Sequence, residues 1–187
     1  MAGYTFIIKE PRASTRLSSY FCPYFAAEIA KLSRLDYARL VRRWGSSIAA
    51  GIGIHKLISA LDSRCVREPK LVDEELSINA APDFVCIGDG VVTVIEFKSV
   101  LNETWLEQKI WTLKKYMALA AKKFSADAAV GALYGVLDGK RVEITLSRQQ
   151  LAEEYEDLRR RVESARSPNP AKTRGPWCAH CILRERC

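Results

Sequence analysis

Three ionisable residues, Asp83, Glu96 and Lys98, interrupt an otherwise apolar stretch of the chain. The stretch consists of two strand-like segments joined by Asp89-Gly90, a favoured pair for the centre of a tight hairpin turn. Counting back from this turn places Asp83 opposite Glu96. Because side chains alternate along a strand, Lys98 lies on the same face as Glu96. The hairpin therefore brings two carboxylates and an ammonium group together.

The surroundings make these charges costly. The turn pairs Gly88 with Val91, and the face that carries the charged residues is otherwise apolar. The opposite face is apolar too, which predicts a strand buried on both sides. Desolvating an unpaired ion costs roughly several kcal/mol, so such a cluster favours a metal site or catalysis. The alternative is an exposed strand end at which Glu96 and Lys98 form a solvated ion pair.

A second group of candidate ligands is formed by cysteines. Cys178, Cys181 and Cys187 have metal-ligand spacing, and a reducing compartment favours a metal over a disulfide. Three ligands need a fourth, and Cys22, which precedes a proline, is the best candidate. Zinc more usually binds two short cysteine pairs, whereas four cysteines also suit an iron–sulfur cluster. Zinc, or a tail of loosely held thiols, stays the alternative.

The other two cysteines, Cys65 and Cys86, fall in or beside predicted strands. We expect them to be buried as small apolar side chains. A disulfide between them would require an unusual cytoplasm.

The 187 residues predict one domain with a small appendage, and 48% hydrophobic with 27% charged residues is ordinary for a globular protein. No apolar run approaches the ~20 residues of a membrane span, and the N-terminus lacks a signal-peptide core, so we expect a cytoplasmic protein that does not bind a membrane. The net charge of +7 favours a polyanion such as nucleic acid. The basic residues cluster at 39–43, 114–115, 122–123 and 159–161 and in the tail.

Periodicity and turn residues predict a mixed α/β fold that must position these groups. Helices are predicted at 24–44, 46–61, 104–124 and 148–164. Strands are predicted near 66–78, 83–87, 91–100, 129–137 and 141–146. Residues 1–165 form the main domain, and a Pro/Gly-rich linker with the cysteine-bearing tail occupies 166–187.

An early cysteine, an Asp…Glu-x-Lys core and a terminal Cys-x2-Cys-x5-Cys together resemble the RecB-like nucleases that carry an iron–sulfur cluster. At this size the chain is similar to the CRISPR-associated RecB-like exonuclease family, the fourth of the CRISPR-associated proteins. The resemblance runs from Cys22 to Cys187. It implies a restriction-endonuclease-like PD-(D/E)xK core with N-terminal helices and a cysteine-cluster tail that packs back on the N-terminal region.

The same resemblance implies a function. Members of the family trim DNA ends during spacer acquisition, so we expect a metal-dependent exonuclease acting on single-stranded DNA or DNA ends, with 5'→3' polarity. The CRISPR integrase complex is the implied protein partner. The rival interpretations are a repair- or phage-type exonuclease without a CRISPR role, and a non-catalytic iron–sulfur DNA-binding subunit.

Residue by residue, the resemblance assigns the metal site. His55 matches the family's helical Gly-x-x-x-His ligand, and Asp83 and Glu96 match the two carboxylates that hold Mg²⁺ or Mn²⁺. Lys98 matches the lysine that positions the attacking water. Read from the residues alone, His55 could equally be a core histidine.

The resemblance also assigns the cluster ligands and two DNA contacts. Cys22, Cys178, Cys181 and Cys187 would bind a [4Fe-4S] or [2Fe-2S] cluster. In the family's Gln-x-x-x-Tyr motif, Tyr116 fits, but the position four residues earlier is threonine. Gln108, one further helical turn back on the same face, is the expected substitute.

Overall fold

The computed structural model describes residues 17–32, 64–181 and 183–187. The strands are β1 (Cys65–Arg67), β2 (Leu71–Asp73), β3 (Ile78–Ala80), β4 (Phe84–Gly88), β5 (Val91–Lys98), β6 (Ala128–Gly135) and β7 (Arg141–Ser147). The α-helices are α1 (Pro23–Ala30), α2 (Glu103–Phe124) and α3 (Arg148–Arg166). Short 3-10 helices cover Leu17–Phe21, Pro176–His180 and Arg184–Arg186.

A mixed five-stranded sheet in the order β1-β4-β5-β6-β7 forms the centre of the described part. Strands β5 and β6 are parallel, and every other neighbouring pair in this sheet is antiparallel. The long helix α2 supplies the crossover that a parallel pair requires. Strands β2 and β3 form a separate two-stranded sheet. The predicted mixed α/β class is confirmed.

The hairpin of β4 and β5 has the predicted register. Gly88 pairs with Val91, and the ladder runs back to the pair of Phe84 with Ile95. Gly90 has φ +70°, a conformation that glycine adopts without strain. One face of β5 is buried and the other is half-buried, so the prediction of burial on both sides is wrong for the second face.

Helix α2 lies directly on the sheet. It begins after Asn102, whose side-chain oxygen accepts the Thr104 N–H at 2.8 Å. Its buried side chains include Leu113 and Met117, which face Gly131 on β6. A Cβ at residue 131 would lie 2.5 Å from the Met117 sulfur, so only glycine permits this approach.

Helix α3 begins in a capping box, in which Ser147 and Gln150 each bind the other's backbone N–H. The prediction for this helix is confirmed, and the helix extends two residues further, to Arg166. Within the described residues, no helix is both long and apolar enough to cross a membrane.

The strand predicted near 66–78 is instead divided among β1, β2 and β3. Glu68 and Ser77 have φ +47° and +52°, and backbone in this left-handed region interrupts an extended strand. Between β2 and β3, the Asp73 carboxylate accepts the Leu76 N–H at 2.9 Å and stabilises the turn. The helix predicted at 24–44 begins as α1 but ends at Ala30, with Lys31 as its C-cap residue, so the prediction of one continuous helix is wrong here. Its part beyond residue 32, and the helix predicted at 46–61, lie outside the described residues.

The two ends of the described chain are in contact. The Phe21 and Trp177 rings pack edge to face, with centroids 4.7 Å apart. The Tyr24 N–H donates to the Ala171 carbonyl at 3.0 Å. Arg161 of α3 donates to the Phe21 carbonyl at 2.6 Å. These contacts bring the segment that contains Cys22 to the cysteine-bearing tail.

Candidate active site

Asp83 and Glu96 lie against each other at the end of the β4–β5 hairpin. Asp83 immediately precedes β4, one position beyond the last ladder pair. Its N–H donates to Glu96 Oε2 at 3.1 Å, and the Phe97 N–H donates to Asp83 Oδ2 at 2.7 Å. Lys98 Nζ donates to Glu96 Oε1. The structure therefore brings three of the predicted site residues together, and their catalytic roles stay predictions.

The two carboxylates are buried, with 8% of Asp83 and 7% of Glu96 exposed. Burial, helped by the Asp83 charge and opposed by Lys98, raises the pKa of the Glu96 carboxyl above its usual value. The Lys98 side chain is 31% exposed, so it lies between the buried carboxylates and the solvent. Lys98 binds Glu96, and two carboxylates side by side at this corner of the sheet attract cations.

The residues present fit a hard divalent cation. Mg²⁺ and Mn²⁺ prefer carboxylate oxygens, and Asp83 and Glu96 offer them on adjacent strands. The third predicted ligand, His55, lies outside the described residues. Across 17–32, 64–181 and 183–187, no three His, Cys, Asp or Glu side chains are arranged to hold a metal ion among themselves.

The DNA contacts predicted on α2 are half-buried. Tyr116 packs against the hydrophobic core, and the Gln108 carbonyl accepts the Thr112 hydroxyl at 2.9 Å within the helix. Trp111, on the same helix, belongs to the core with 8% exposed. Its indole N–H donates to Asp157 of α3 at 3.0 Å.

The four predicted cluster cysteines are free thiols, and no three of them are arranged to hold a metal ion in the described part of the chain. Cys22, Cys178 and Cys181 are half-buried, and Cys187 is exposed. Burial, and then the neighbouring Cys187, Cys22 and Cys178, raise the pKa of the Cys181 thiol. Cys22, from the N-terminal segment, and two cysteines of the tail thus affect the pKa of the same thiol. A set of four cysteines is chemically suited to an iron–sulfur cluster.

The other two cysteines differ from the expectation. Cys65 and Cys86 are directly opposite each other on β1 and β4 and form a disulfide. Both are half-buried rather than buried. The expectation of a reducing cytoplasm disfavoured this disulfide, and the predicted strand 66–78 hid the register of β1 that places the two cysteines opposite each other.

Several of the basic residues that favoured a polyanion form ion pairs with acidic residues of the same chain, at positions that range from buried to exposed. Lys115 is fully buried between Glu154 and Asp157, and Lys122 binds Asp73 at 2.8 Å. Arg159 and Arg161 likewise bind acidic residues on β2–β3 or α3. The sequence gives the number of charged residues but not which of them are in contact, so it cannot distinguish these intramolecular ion pairs from free surface charges.

The sequence also missed an exposed apolar group beside Lys98. Val136 and Leu137 follow β6 and are 45% and 69% exposed, and Val100 is 40% exposed. The sequence signal was present, since Val136 and Leu137 directly precede the Asp138-Gly139 turn. It indicated a strand end and gave no sign of nearness to the site.

Comparison with known proteins places this geometry in a family. The model of the PD-(D/E)XK nuclease superfamily matches residues 13–187, and members of that superfamily are phosphodiester-hydrolysing nucleases. Among solved structures, the crystal structure of SSO0001 superposes with a TM-score of 0.54 at 16% identity, covering 95% of this chain and 87% of that one. At this identity the likeness concerns the fold alone. The comparison with curated proteins returned no match.

Proposed function

The chain belongs to the PD-(D/E)XK nuclease superfamily, and on that premise we propose that it is a metal-dependent exonuclease that trims single-stranded DNA ends with 5'→3' polarity during CRISPR spacer acquisition. The observation that carries the hydrolytic part is the buried pair of Asp83 and Glu96 with Lys98 beside it. The CRISPR role, and the integrase complex as partner, are supported by the sequence resemblance. The net charge of +7 supports a nucleic-acid substrate.

Each residue has a distinct role in this proposal. Asp83 and Glu96, with His55, would hold Mg²⁺ or Mn²⁺, which supplies Lewis-acid activation of the scissile phosphate and of water. The backbone N–H groups of Asp83 and Phe97 bind carboxylate oxygens and fix both side chains. Lys98, which binds Glu96 at the partly exposed side of the pair, would orient water and offset the charge that develops on the phosphate.

We further propose that Cys22, Cys178, Cys181 and Cys187 bind an iron–sulfur cluster with a structural role. Their support is the donor set itself, four free thiols in two segments that the Phe21–Trp177 packing and the Tyr24–Ala171 hydrogen bond bring into contact. In the described residues the thiols are not yet arranged to hold a metal ion, so the tail would have to rearrange to bind the cluster. Such a cluster would join the N-terminal segment to the tail. Phosphodiester hydrolysis changes no oxidation state, so the chemistry proposed at Asp83 and Glu96 does not require electron transfer from the cluster.

Single substitutions test the site. Asp83→Ala, Glu96→Ala and Lys98→Ala should each reduce hydrolysis of single-stranded DNA by roughly 10²-fold or more while the fold remains intact. Asp89→Ala is the matched control, because Asp89 is an exposed carboxylate in the turn of the same hairpin. Wild-type rates for Glu96→Ala in Mn²⁺ would overturn the site. An inactive wild-type protein that still binds DNA would favour the non-catalytic subunit.

Polarity and pathway need separate measurements. Strands blocked at the 5' end should resist digestion, whereas strands blocked at the 3' end should be shortened; the reverse result overturns the polarity. For the CRISPR role, the protein should generate ends that a purified CRISPR integrase complex inserts more efficiently than untrimmed ends. No gain in insertion would leave a repair- or phage-type exonuclease as the better description.

A further inference from the structure

Three exposed aliphatic side chains, Val100, Val136 and Leu137, lie together next to Lys98, and we call them the apolar ledge. Of the described residues, six large hydrophobic side chains are conspicuously exposed, and the ledge contains three of them. Val100 is two residues beyond Lys98, which is roughly 7 Å of extended chain. An apolar group of this kind at the edge of a site indicates a binding surface.

The ledge is held rigidly by the backbone around it. The Val136 N–H donates to the Lys98 carbonyl at 2.8 Å, and the Leu137 N–H donates to the Ser99 carbonyl at 2.9 Å. Asp138 completes the arrangement by accepting the Leu101 N–H at 3.0 Å. Because the hydrogen bonds fix the backbone of both segments, the exposure of these side chains is a property of the fold. A rigid surface loses little conformational entropy when it binds.

Three lysines around the ledge complement a polyanion, and they outnumber the carboxylate of Asp138 there, whose oxygens accept the Leu101 and Lys140 backbone N–H groups. Lys109 Nζ donates to the Val100 carbonyl at 2.7 Å, which places an ammonium group on the ledge itself. Lys98 lies at one end, and the exposed Lys140 follows the Asp138-Gly139 turn at the other. An apolar surface bordered by lysines suits a ligand that has anionic groups and flat apolar faces. Single-stranded DNA has both, since its phosphates are charged and its bases are unstacked.

We propose that the apolar ledge contacts the bases of a single DNA strand whose backbone phosphate lies beside Lys98. The inference rests on the proposed function and deepens it, because it identifies the surface that selects single strands over duplex. In a duplex the base faces are stacked and covered by their neighbours. In a single strand they are available to Leu137, the most exposed member of the ledge.

The test compares two strands in buffer without divalent metal. One is a fluorescent oligothymidylate of about twelve nucleotides, and the other has the same backbone with abasic residues throughout. Leu137→Ser should weaken binding of the oligothymidylate about 5-fold, the value expected when roughly half a leucine side chain is no longer buried. It should leave the affinity for the abasic strand unchanged.

Val72→Ser is the matched control, since Val72 is 56% exposed but belongs to the separate β2–β3 sheet. An equal loss on both strands for Leu137→Ser, or affinities matching those of Val72→Ser, would overturn the inference. So would a dimer that Leu137→Ser dissociates without changing DNA affinity. If the wild-type protein cleaves DNA but the ledge variants behave as the control does, only the ledge is refuted. If the wild-type protein neither binds nor cleaves DNA, the proposed function fails with it.

Discussion

Lys115 offers the sharpest test of how the described elements are held together. Its side chain is fully buried between α2 and α3, where its ammonium group binds Glu154 and, at 2.6 Å, Asp157. It also lies 5.3 Å from the centre of the Trp111 ring, within range of a cation–π interaction. The perturbation is Lys115→Met, which keeps the length of the aliphatic chain and removes the charge.

The expected loss of stability depends on the ion-pair partners that Glu154 and Asp157 retain in the Lys115→Met variant. Removing one partner of a buried ion pair costs about 3–5 kcal/mol. Here Glu154 retains Lys114 at 3.1 Å, Asp157 retains Arg161 at 3.1 Å, and their side chains are 19% and 29% exposed. We therefore expect the free energy of unfolding to fall by about 2–3 kcal/mol. For a domain of this size the melting temperature should fall by roughly 4–12 °C.

Thermal melting followed by circular dichroism measures the effect, and Lys114→Met is the matched control. Lys114 is 34% exposed and shares the partner Glu154, so its loss should cost less than about 1 kcal/mol. Burial raises the pKa of Asp157, but the hydrogen bond and charge of Lys115 outweigh it, and the net pKa is lowered below 3.8. The stabilisation is thus present above pH 3.8 and lost as the pH falls through the lowered value. Equal melting temperatures for Lys115→Met and Lys114→Met at pH 7 would refute the reasoning.

Three further predictions concern the metal, the cluster and DNA. Because burial raises the pKa of Glu96 above 4.5, the stabilisation from this group is complete below pH 4.5 and is lost as the pH rises through the raised value. At pH 7, Glu96→Gln should therefore melt at a higher temperature than the metal-free wild type, and Mn²⁺ should raise the melting temperature of the wild type only. Equal stabilisation of both proteins by Mn²⁺ would exclude Glu96 as a ligand. The anaerobically purified protein should be brown, and Cys22→Ser should lose iron and melt at a lower temperature, since the binding free energy of such a site is also folding free energy. The control Cys86→Ser should keep the brown colour. Full iron content in Cys22→Ser would exclude Cys22 as a ligand of the cluster. Affinity for single-stranded DNA should fall steeply as the salt concentration rises, because a chain of net charge +7 displaces counterions from the DNA when it binds. Binding is measured by fluorescence anisotropy, and an affinity that stays constant from low to physiological salt would contradict a basic binding surface.

The sequence predicted the hairpin best, because local rules determine it. The Asp89-Gly90 turn fixes the register, and register alone places Asp83 opposite Glu96. Helices α2 and α3 were also predictable, since each is long and periodic and begins at a capping residue. Strand β1 was not, because a three-residue strand is defined by its partner β4 and has almost no pattern of its own.

What could not be predicted depends on contacts distant in sequence. In the sequence, Lys115 cannot be distinguished from its neighbour Lys114 and would be taken for a surface charge. In the fold it is buried, because α3 provides two carboxylates that bind its ammonium group. The pairing of Cys65 with Cys86 depends on the same kind of long-range register. The exposure of Leu137 follows from which segment packs beside it, and no local rule describes that.

The contact between the two chain ends does not depend on cysteine alone. Arg161 donates to the Phe21 carbonyl and to Asp157, and its guanidinium lies 5.0 Å from the Trp111 ring. Trp177, immediately before Cys178, packs on Phe21, immediately before Cys22. Arginine and aromatic packing therefore bring a thiol from each end close together before any metal binds. No three of the cysteines are arranged to hold a metal ion in the described residues, so binding a cluster would require the tail to rearrange, whereas Arg161 and the aromatic packing would keep the two segments together when the cluster is removed.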